Sequence, residues 1–385
     1  MTIAPFGAAA LNQPLIGQLG SRFRLETPAA VLDLAIFERN IAILARTCES
    51  AGIGFRPHAK SHKCAEIARR QMASGASGVC CAKPGELLAL YEAGVRDVML
   101  SAPIASGAKI DLLARAAAQG ARIGVVVDRI DLIAAYSAAA QRHATAFDVF
   151  VDLDTGLKRS GVADAPTAIA LARALTQAAG LRYAGVQAYQ GSVQHIDSFA
   201  ARRVANAVAN RALSQILTAL ENASLAPRIV SGGGTGSHLL DAEERVLSEV
   251  QPGSYVFMDE AYNSVDIYGR GSPEFGPALR IAVTVISHSS AGFAIIDGGS
   301  KSFAQDGPAP RVLHGDRLAG QLEWCGDEFG RVLPAPGYAV LPIGTVVECT
   351  VSHCDPTINL HDFLHVCSGQ NLVALWPVEA RGRSD

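Results

Sequence analysis

RIGVVVDRIDLIAAYSAAAQRHATAFDVFVDLD spans residues 122–154 and contains one complete example of the pattern that decides the fold. It begins with a β-branched run, continues with an Ala- and Leu-rich stretch whose apolar residues recur at helical spacing, and ends with a second β-branched run. A strand, a helix and a second strand in this order form the repeating unit of a parallel sheet. The stretch therefore predicts an α/β protein.

Eight β-branched runs of this kind occur between residues 54 and 257. They are GFRPHAK (54–60), GVCCA (78–82), DVMLSA (97–102), RIGVVVD (122–128), FDVFVDLD (147–154), YAGVQAY (183–189), RIVSGGG (228–234) and VQPGSYVF (250–257). Helix candidates lie between them, for example at 84–94 and 199–223. Eight strands that alternate with helices predict a (β/α)8 TIM-type barrel.

The sequence changes character after about residue 273, where short strand-like runs alternate with Gly, Pro and Asp turns. This pattern predicts a β-rich C-terminal domain. The early run VLDL (31–34) precedes the first barrel strand and could pair with this tail, with a helix from about residue 35 to residue 50 leading into the barrel. We expect an N-terminal segment (1–30) that can pack on the β-rich domain, a barrel (31–270) and the β-rich domain (271–385).

Composition excludes several classes of protein. The chain has 385 residues, 49% of them hydrophobic and 18% charged, which is typical of a folded globular protein and not of a disordered one. Its formal net charge of −3 and its lack of a basic run argue against a nucleic-acid partner. No apolar stretch is long enough to span a membrane, and the first twenty residues do not resemble a secretory signal. We therefore expect a cytoplasmic protein whose 8 cysteines are free thiols.

The first barrel strand ends in Arg-Pro-His-Ala-Lys-Ser-His-Lys, residues 56–63. Functional side chains of such barrels lie at the C-terminal ends of the strands, so Lys60 is a candidate active-site residue. A partly desolvated lysine has a lowered pKa and can form a Schiff base with an aldehyde. An equally acceptable interpretation is that Lys60 extends to solvent or pairs with a carboxylate.

A glycine loop, Ser-Gly-Gly-Gly-Thr-Gly-Ser at 231–237, follows a later strand. Such a loop can turn its backbone N–H groups toward an anion, although many barrel turns are Gly-rich for steric reasons alone. Gly253, Ser254 and Tyr255 end the next strand and could complete a phosphate site. A Schiff-base lysine together with a phosphate loop favours pyridoxal 5′-phosphate as cofactor.

Two other strand ends fit around the ring of this cofactor. Arg159 follows a strand and a tight turn and could donate to the phenolate oxygen, although spacing alone favours a surface arginine between a loop and a helix. Tyr189 could reach the ring nitrogen, and His195 follows six residues later as a candidate acid or base.

The tail contains His353-Cys354-Asp355-Pro356-Thr357 directly after a strand-like run. On a strand, residues i and i+2 point to the same side, so His353 and Asp355 could bind one cation. Imidazole with carboxylate favours a fairly hard divalent ion such as Mn²⁺, Mg²⁺ or Co²⁺. The alternative is a His–Asp hydrogen bond that fixes the loop.

Together these segments resemble the fold-type III pyridoxal-phosphate enzymes of the D-threonine aldolase and D-serine dehydratase family, particularly its 3-hydroxy-D-aspartate aldolase branch. The resemblance covers nearly the whole chain and includes RPHAKSHK (56–63), GVCCAKPGE (78–86), AYQGSVQHIDSF (188–199), VSGGGTGS (230–237), QPGSYVFMD (251–259), HCDPTINLHDF (353–363) and WPVEARGR (376–383). It implies an alanine racemase-like barrel, a β-rich second domain, and a homodimer in which each second domain closes the partner's site.

The resemblance also implies roles for single residues. Lys60 looks like the Schiff-base lysine, with Arg159 at the phenolate and Tyr189 beside the ring. The cofactor set is completed by His58, Gly233, Gly234, Thr235, Gly253, Ser254 and Tyr255. His353 and Asp355 match the metal ligands, while His195, Gln190 and Asp327 match positions near the substrate.

The implied activity is metal-dependent cleavage of a D-3-hydroxy amino acid, such as D-threonine or D-3-hydroxyaspartate, to glycine and an aldehyde. Dehydratases of the family that resemble the eukaryotic enzymes carry a His-x-Cys pair, whereas this chain has His353-x-Asp355, which favours the aldolase. A dehydratase that releases ammonia and a 2-oxo acid remains the alternative. The sequence identifies neither the physiological substrate nor the metal, and no single cation can be assigned to a substrate carboxylate.

Overall fold

The computed structural model describes residues 7–269, 274–288, 292–315 and 317–385. Within these ranges the strands are β1 (Ala29–Asp33), β2 (Gly54–Phe55), β3 (Val79–Cys81), β4 (Asp97–Leu100), β5 (Arg122–Val127), β6 (Phe147–Asp152), β7 (Leu181–Ala188), β8 (Ile229–Gly232), β9 (Glu249–Val250), β10 (Leu279–His288), β11 (Ala294–Ile296), β12 (Arg311–His314), β13 (Arg317–Trp324), β14 (Gly330–Pro334), β15 (Val346–Cys349), β16 (Phe363–Ser368) and β17 (Asn371–Pro377). The helices are α1 (Ala8–Asn12), α2 (Leu34–Ala51), α3 (Ala65–Ala73), α4 (Pro84–Glu92), α5 (Gly107–Ala118), α6 (Ile130–Arg142), α7 (Ala165–Gln177), α8 (Phe199–Asn222), α9 (His238–Glu244), α10 (Glu260–Asn263) and α11 (Cys354–Ile358). Short 3-10 helices lie at Gln13–Leu15, Ser21–Arg24, Ala59–Ser61, Gly191–Val193 and Ser254–Val256.

Strands β2 to β9 form the predicted parallel barrel. Their order is β2-β9-β8-β7-β6-β5-β4-β3, and a backbone bridge between His58 and Cys80 joins the two ends of the sheet. Strand β6 is buried along its whole length, because side chains inside the barrel and helices outside it cover both faces. Each predicted run overlaps one of these strands, so the fold class is confirmed, although β7 and β9 begin before the runs that predict them. The last run was predicted too long, since β9 ends at Val250 and a 3-10 helix follows.

Local capping explains where several barrel helices begin and end. The Asp33 carboxylate accepts the backbone N–H of Ile36 at 3.1 Å and so begins α2, and Gly52, at φ +69°, ends it. Ser198 caps α8 in the same way through the N–H of Ala201.

The β-rich domain is built on β10. Strands β10, β11, β14, β13, β12 and β15 close into an antiparallel barrel, because β10 pairs with both β11 and β15. Strand β1 pairs with β10 and β16 and joins this sheet, as the early VLDL run suggested. The sequence analysis missed β13, β14 and β16. The expected domain boundary at 270/271 and the first six residues of the N-terminal segment lie outside the described residues.

The N-terminal segment lies against the β-rich domain through a buried charge cluster. The Arg22 guanidinium donates to Glu348 at 2.6 and 2.9 Å and to Asp33 at 2.9 Å. Arg280 donates to Glu348 as well. Breaking a buried ion pair is strongly destabilising, so this cluster fixes the segment in place.

One loop of the β-rich domain docks over the C-terminal end of the barrel. Asp259 accepts the backbone N–H of Cys354 at 2.9 Å and that of Tyr262 at 3.0 Å. The N–H groups of Glu260 and Ala261 donate to carbonyls at 351 and 352. These bonds bring residues 353–355 to the barrel mouth. Among the described residues, no helix has the length and hydropathy needed to cross a bilayer.

Candidate active site

A cavity of about 330 Å³ lies at the C-terminal ends of the barrel strands, within the usual size range for small-molecule sites. It is lined by His58, Lys60, Ala82, Lys83, Ser101, Ala102, Arg159, Gln187, Tyr189, Gly234, Thr235, Gln251, Gly253, Ser254 and Tyr262. Most of the residues expected to bind the cofactor are thus brought together, although they come from five different strand ends.

Lys60 lies on the 3-10 helix that follows β2, and its Nζ is 2.7 Å from Asp355 Oδ2. The lysine side chain is 44% exposed, whereas the aspartate is 14% exposed. Burial alone would lower the pKa of Lys60, but the Asp355 carboxylate outweighs it and raises this pKa above its ordinary value. In this state the lysine is therefore a paired cation, the second of the two interpretations that the sequence left open.

His58 supports the backbone of Lys60. Its Nδ1 accepts the N–H of Lys60 at 3.3 Å, and its Nε2 lies 2.9 Å from Ser101 Oγ. Burial, aided by the Lys60 charge, lowers the pKa of His58 to about 3, so the imidazole is neutral near pH 7. Because Nδ1 accepts, Nε2 carries the proton and donates it to Ser101.

The glycine loop after β8 presents backbone donors to the cavity. The N–H of Gly234 donates to Ser237 Oγ, and the N–H of Gly236 donates to Gln194 Oε1 at 2.8 Å. In the described part of the chain, the N–H groups of Thr235, Gly253 and Ser254 have no acceptor. Unpartnered amides grouped at a cavity wall suit an anion such as a phosphate.

Two residues of the expected phosphate set lie behind this wall. Gly233 has a φ of +65°, and the space beside its Cα is filled by the Asp241 carboxylate. Tyr255 is buried, and its N–H donates to Thr235 Oγ1 while its hydroxyl accepts from Gln71. Neither lines the cavity, so both act on the loop and not on a ligand directly.

Arg159 and Tyr189 lie together in the loops that follow the neighbouring strands β6 and β7. The Arg159 guanidinium carbon is 5.4 Å from the centroid of the Tyr189 ring, within cation–π range. Gln187, two residues before Tyr189 in the sequence, donates to Asp152 and to the Ser101 carbonyl, each at 2.9 Å. These bonds fix the floor of the cavity.

The metal motif does not have the geometry expected from the sequence. Strand β15 ends at Cys349, and His353 is the N-cap of α11, so His353 and Asp355 do not share a strand face. Asp355 is favoured in the first turn of a helix, and Pro356 has no N–H to donate to a sheet. Asp355 pairs with Lys60, whereas His353 Nδ1 lies 2.8 Å from Asp306 Oδ2. Among the described residues no group of three or more His, Cys, Asp and Glu converges.

The remaining expected residues do not line the cavity. The His195 ring stacks on that of Tyr262 with centroids 4.5 Å apart. Burial and the neighbouring His353 lower the pKa of His195. Gln190 is buried with an unpartnered Nε2, and Asp327 lies on an exposed loop between β13 and β14, where it accepts from Ser300. Their substrate roles stay predictions.

Sequence analysis missed several residues that line the cavity: Lys83, Ser101, Gln187, Gln251 and Tyr262. Gln187 lies at a predicted strand end, but nothing in the neighbouring sequence indicates that its amide lines a site. Tyr262 lies beyond the last barrel strand on the short helix α10, where no motif marks it.

Comparisons with known proteins agree with this architecture. Residues 32–261 match the alanine racemase N-terminal domain, and residues 278–367 match the serine dehydratase domain. The chain is 37% identical to 3-hydroxy-D-aspartate aldolase of Paracoccus denitrificans (strain Pd 1222), over 93% of each protein. It is 31% identical to D-threo-3-hydroxyaspartate dehydratase of Delftia sp. (strain HT23), over 80% of each. The crystal structure of D-threonine aldolase from Filomicrobium marinum superposes with a TM-score of 0.89 at 38% identity, covering 95% of this chain and 98% of that one.

Proposed function

The chain belongs to the family that combines an alanine racemase N-terminal domain with a serine dehydratase domain, and on this premise we propose that it cleaves D-3-hydroxy amino acids to glycine and an aldehyde. It is a carbon–carbon lyase of the D-threonine aldolase type. Its substrates are D-threonine, D-3-hydroxyaspartate or similar amino acids. It uses pyridoxal 5′-phosphate and a divalent metal ion.

The observation that carries this proposal is the meeting of Lys60 and Asp355 at one cavity mouth. An amine able to bind an aldehyde comes from the barrel, and a carboxylate able to bind a metal comes from the β-rich domain. A cleavage that needs both a carbonyl cofactor and a cation at the substrate hydroxyl requires this juxtaposition.

The cavity residues fit pyridoxal phosphate. Lys60 would bind its aldehyde carbon, and the unpartnered N–H groups of Thr235, Gly253 and Ser254 would hold its phosphate. Arg159 and Tyr189 would contact the ring. When bound, this cofactor withdraws electrons from the substrate α-carbon. The chain contributes the orientation of the scissile bond and the exclusion of water.

The donors at the β-rich loop fit a hard divalent ion. His353 and Asp355 supply an imidazole and a carboxylate, which Mn²⁺, Mg²⁺ and Co²⁺ accept, with water or substrate in the other positions. Asp355 is a buried carboxylate whose present cation is Lys60. Once Lys60 is bound to the cofactor, that carboxylate needs another cation, and a metal ion there would polarise the substrate hydroxyl.

His195 is the candidate base for that hydroxyl. Because its pKa is lowered, its imidazole is neutral at pH 7 and can accept a proton. Tyr262 stacks against the ring and limits its orientation. Asp327 and Gln190 remain proposed substrate contacts.

The alternative is a dehydratase, which the similarity to the Delftia enzyme supports. Incubation of the cofactor-loaded protein with D-threonine and D-3-hydroxyaspartate, with Mn²⁺ or with EDTA, separates the two. We expect metal-dependent glycine and aldehyde in equal amounts. Ammonia and a 2-oxo acid would identify a dehydratase, and glycine release that EDTA leaves unchanged would refute the metal requirement.

We also propose a cytoplasmic homodimer that shares its active sites. Exposed apolar side chains on the β-rich domain, among them Ile286, Leu318 and Ile343, support an interface there. All eight cysteines are free thiols, as is usual in a reducing compartment. Sedimentation analysis would test the dimer, and a monomer with full activity would exclude shared sites.

A further inference from the structure

Three side chains that are charged at neutral pH line the cavity in the described structure, and all three are cations: Lys60, Lys83 and Arg159. Lys60 is paired with Asp355, and Arg159 lies over the Tyr189 ring. The ammonium of Lys83 has no hydrogen-bond or ion-pair partner within the described chain. Lys83 is therefore the cation of the cavity for which the proposed cofactor and metal ion provide no role.

Lys83 occupies a position that does not favour a lysine. It is the N-cap of α4, with extended φ and ψ of −130° and 147°, and its side chain makes no capping hydrogen bond. Ser, Thr, Asp and Asn are preferred there because their oxygens accept orphan N–H groups. The positive end of the helix dipole also disfavours a cation at this point. The stability of helix α4 therefore does not explain why a lysine occupies this position.

The carboxylate nearest to Lys83 in the sequence, that of Glu86, binds groups other than the Lys83 ammonium. Glu86 is buried and binds the Lys63 ammonium through Oε1. Its Oε2 accepts the backbone N–H groups of Ala82 and Lys83 at 2.9 and 3.2 Å. Glu86 thus holds the Lys83 backbone while leaving the Lys83 side chain to the cavity.

We infer that Lys83 binds a carboxylate of the amino-acid substrate. This inference rests on the proposed function and deepens it, because it concerns how that site selects its substrate. The carboxylate is either the one on the α-carbon, which every amino acid has, or the side-chain one of a 3-hydroxyaspartate. The Lys83 side chain is exposed and lines the cavity, so its ammonium can form a charge-assisted hydrogen bond with either group.

The cofactor phosphate is a less suitable ligand for Lys83. Lys83 follows β3. In the barrel β2 separates this strand from β9, which is followed by Gly253 and Ser254, and β2 and β9 together separate it from β8, which carries the glycine loop. Unpartnered backbone N–H groups are already present at that loop. We therefore expect Lys83 variants to keep their affinity for pyridoxal phosphate.

Binding of D-alanine and D-aspartate to the cofactor-loaded protein tests the inference. Neither has a 3-hydroxyl group, so the visible absorption change on binding does not depend on cleavage. We expect Lys83→Gln to weaken binding about tenfold and Lys83→Arg to retain most of it. Lys109→Gln, which changes a half-buried lysine on α5 that does not line the cavity, is the matched control and should bind as the wild type does.

The pattern of loss identifies the carboxylate. Equal weakening for both ligands assigns the α-carboxylate, whereas weakening confined to D-aspartate assigns the side-chain carboxylate. Wild-type affinity of Lys83→Gln for both ligands, or a loss of cofactor affinity in that variant, overturns the inference. If the wild type binds both ligands but yields neither glycine nor aldehyde from 3-hydroxy substrates, the proposed function fails while the role of Lys83 stands.

A stability measurement separates binding from a structural role. Lys83→Ser replaces an unfavourable N-cap by a favourable one, so its melting temperature should equal or exceed that of the wild type. Its affinity for D-aspartate or for both ligands should still fall. A lower melting temperature with unchanged affinity would make Lys83 a structural residue.

Discussion

Lys60 Nζ and Asp355 Oδ2 lie 2.7 Å apart, although they belong to different domains and are separated by almost 300 residues of sequence. The pair joins the loop after the first barrel strand to the helix α11 of the β-rich domain. Because Asp259 also ties Cys354 to the barrel, the position of Asp355 is fixed by hydrogen bonds that do not involve Lys60. Asp355 can therefore stay at the cavity when Lys60 takes another partner.

Replacing Lys60 tests the attachment of the cofactor. In Lys60→Ala we expect no covalent cofactor adduct after borohydride reduction and no glycine formation, because Lys60 is the amine that the fold places beside Asp355 at the cavity. Mass spectrometry of the reduced protein measures the adduct. Lys109→Ala should keep it. An adduct that survives in Lys60→Ala would exclude Lys60 as the attachment site.

The barrel could be predicted because its strands carry local signals. Runs such as Val125–Val127 are buried on both faces and therefore β-branched, and several of the helices between them, such as α5, α7 and α8, begin at a side-chain cap. The motif around Asp355 was wrongly predicted to continue a strand. Its residues instead form the start of helix α11, which Asp355 and Pro356 favour. Lys83 and Tyr262 could not be found, because an exposed lysine and a buried tyrosine are ordinary until the fold brings them to one cavity.

Metal binding should depend on Asp355 and His353 to a similar degree. Asp355→Asn and His353→Ala each remove one of two protein ligands, so we expect Mn²⁺ binding, measured by calorimetry, to fall below detection. Asp306→Ala removes only the hydrogen bond that orients His353 and should weaken binding about tenfold. Asp362→Asn, an exposed residue paired with Arg381, is the control. Wild-type affinity in Asp355→Asn would refute this site.

The glycine loop should tolerate a methyl group at Gly234 better than at Gly236. A Cβ on Gly234 would lie 2.6 Å from Gln194 Oε1, a side-chain atom that can move. A Cβ on Gly236 would overlap the backbone carbonyl oxygen of Gln194, which cannot. We expect Gly234→Ala to cost about 1–3 kcal/mol of stability and Gly236→Ala to cost more, as measured by denaturant unfolding.

A double substitution checks this explanation. Gln194→Ala removes the amide that a methyl group at Gly234 would strike, and with it the acceptor for the Gly236 N–H. The two changes should therefore be non-additive: Gly234→Ala should cost little in the Gln194→Ala background. Additive losses would show that Gln194 is not what restricts this position.

Asp241 should make stability fall as pH rises. Burial raises the pKa of this carboxyl to about 7, and its hydrogen bonds from Ser237 and Asn206 do not compensate. In the unfolded chain an aspartate titrates near its ordinary value of about 3.9. Between these values the folded state holds a proton that the unfolded state has released, so stability decreases with increasing pH until the folded carboxyl has ionised.

Asp241→Asn should remove this dependence, because an amide keeps the buried position neutral at every pH. Thermal unfolding followed from pH 5 to pH 8 should show the wild type losing up to roughly 3 kcal/mol more than the variant over this window. Since Asp241 packs directly behind Gly233, the affinity for pyridoxal phosphate should fall in parallel in the wild type. Identical pH profiles for the two proteins would mean that the Asp241 carboxyl ionises in the folded protein as it does in water.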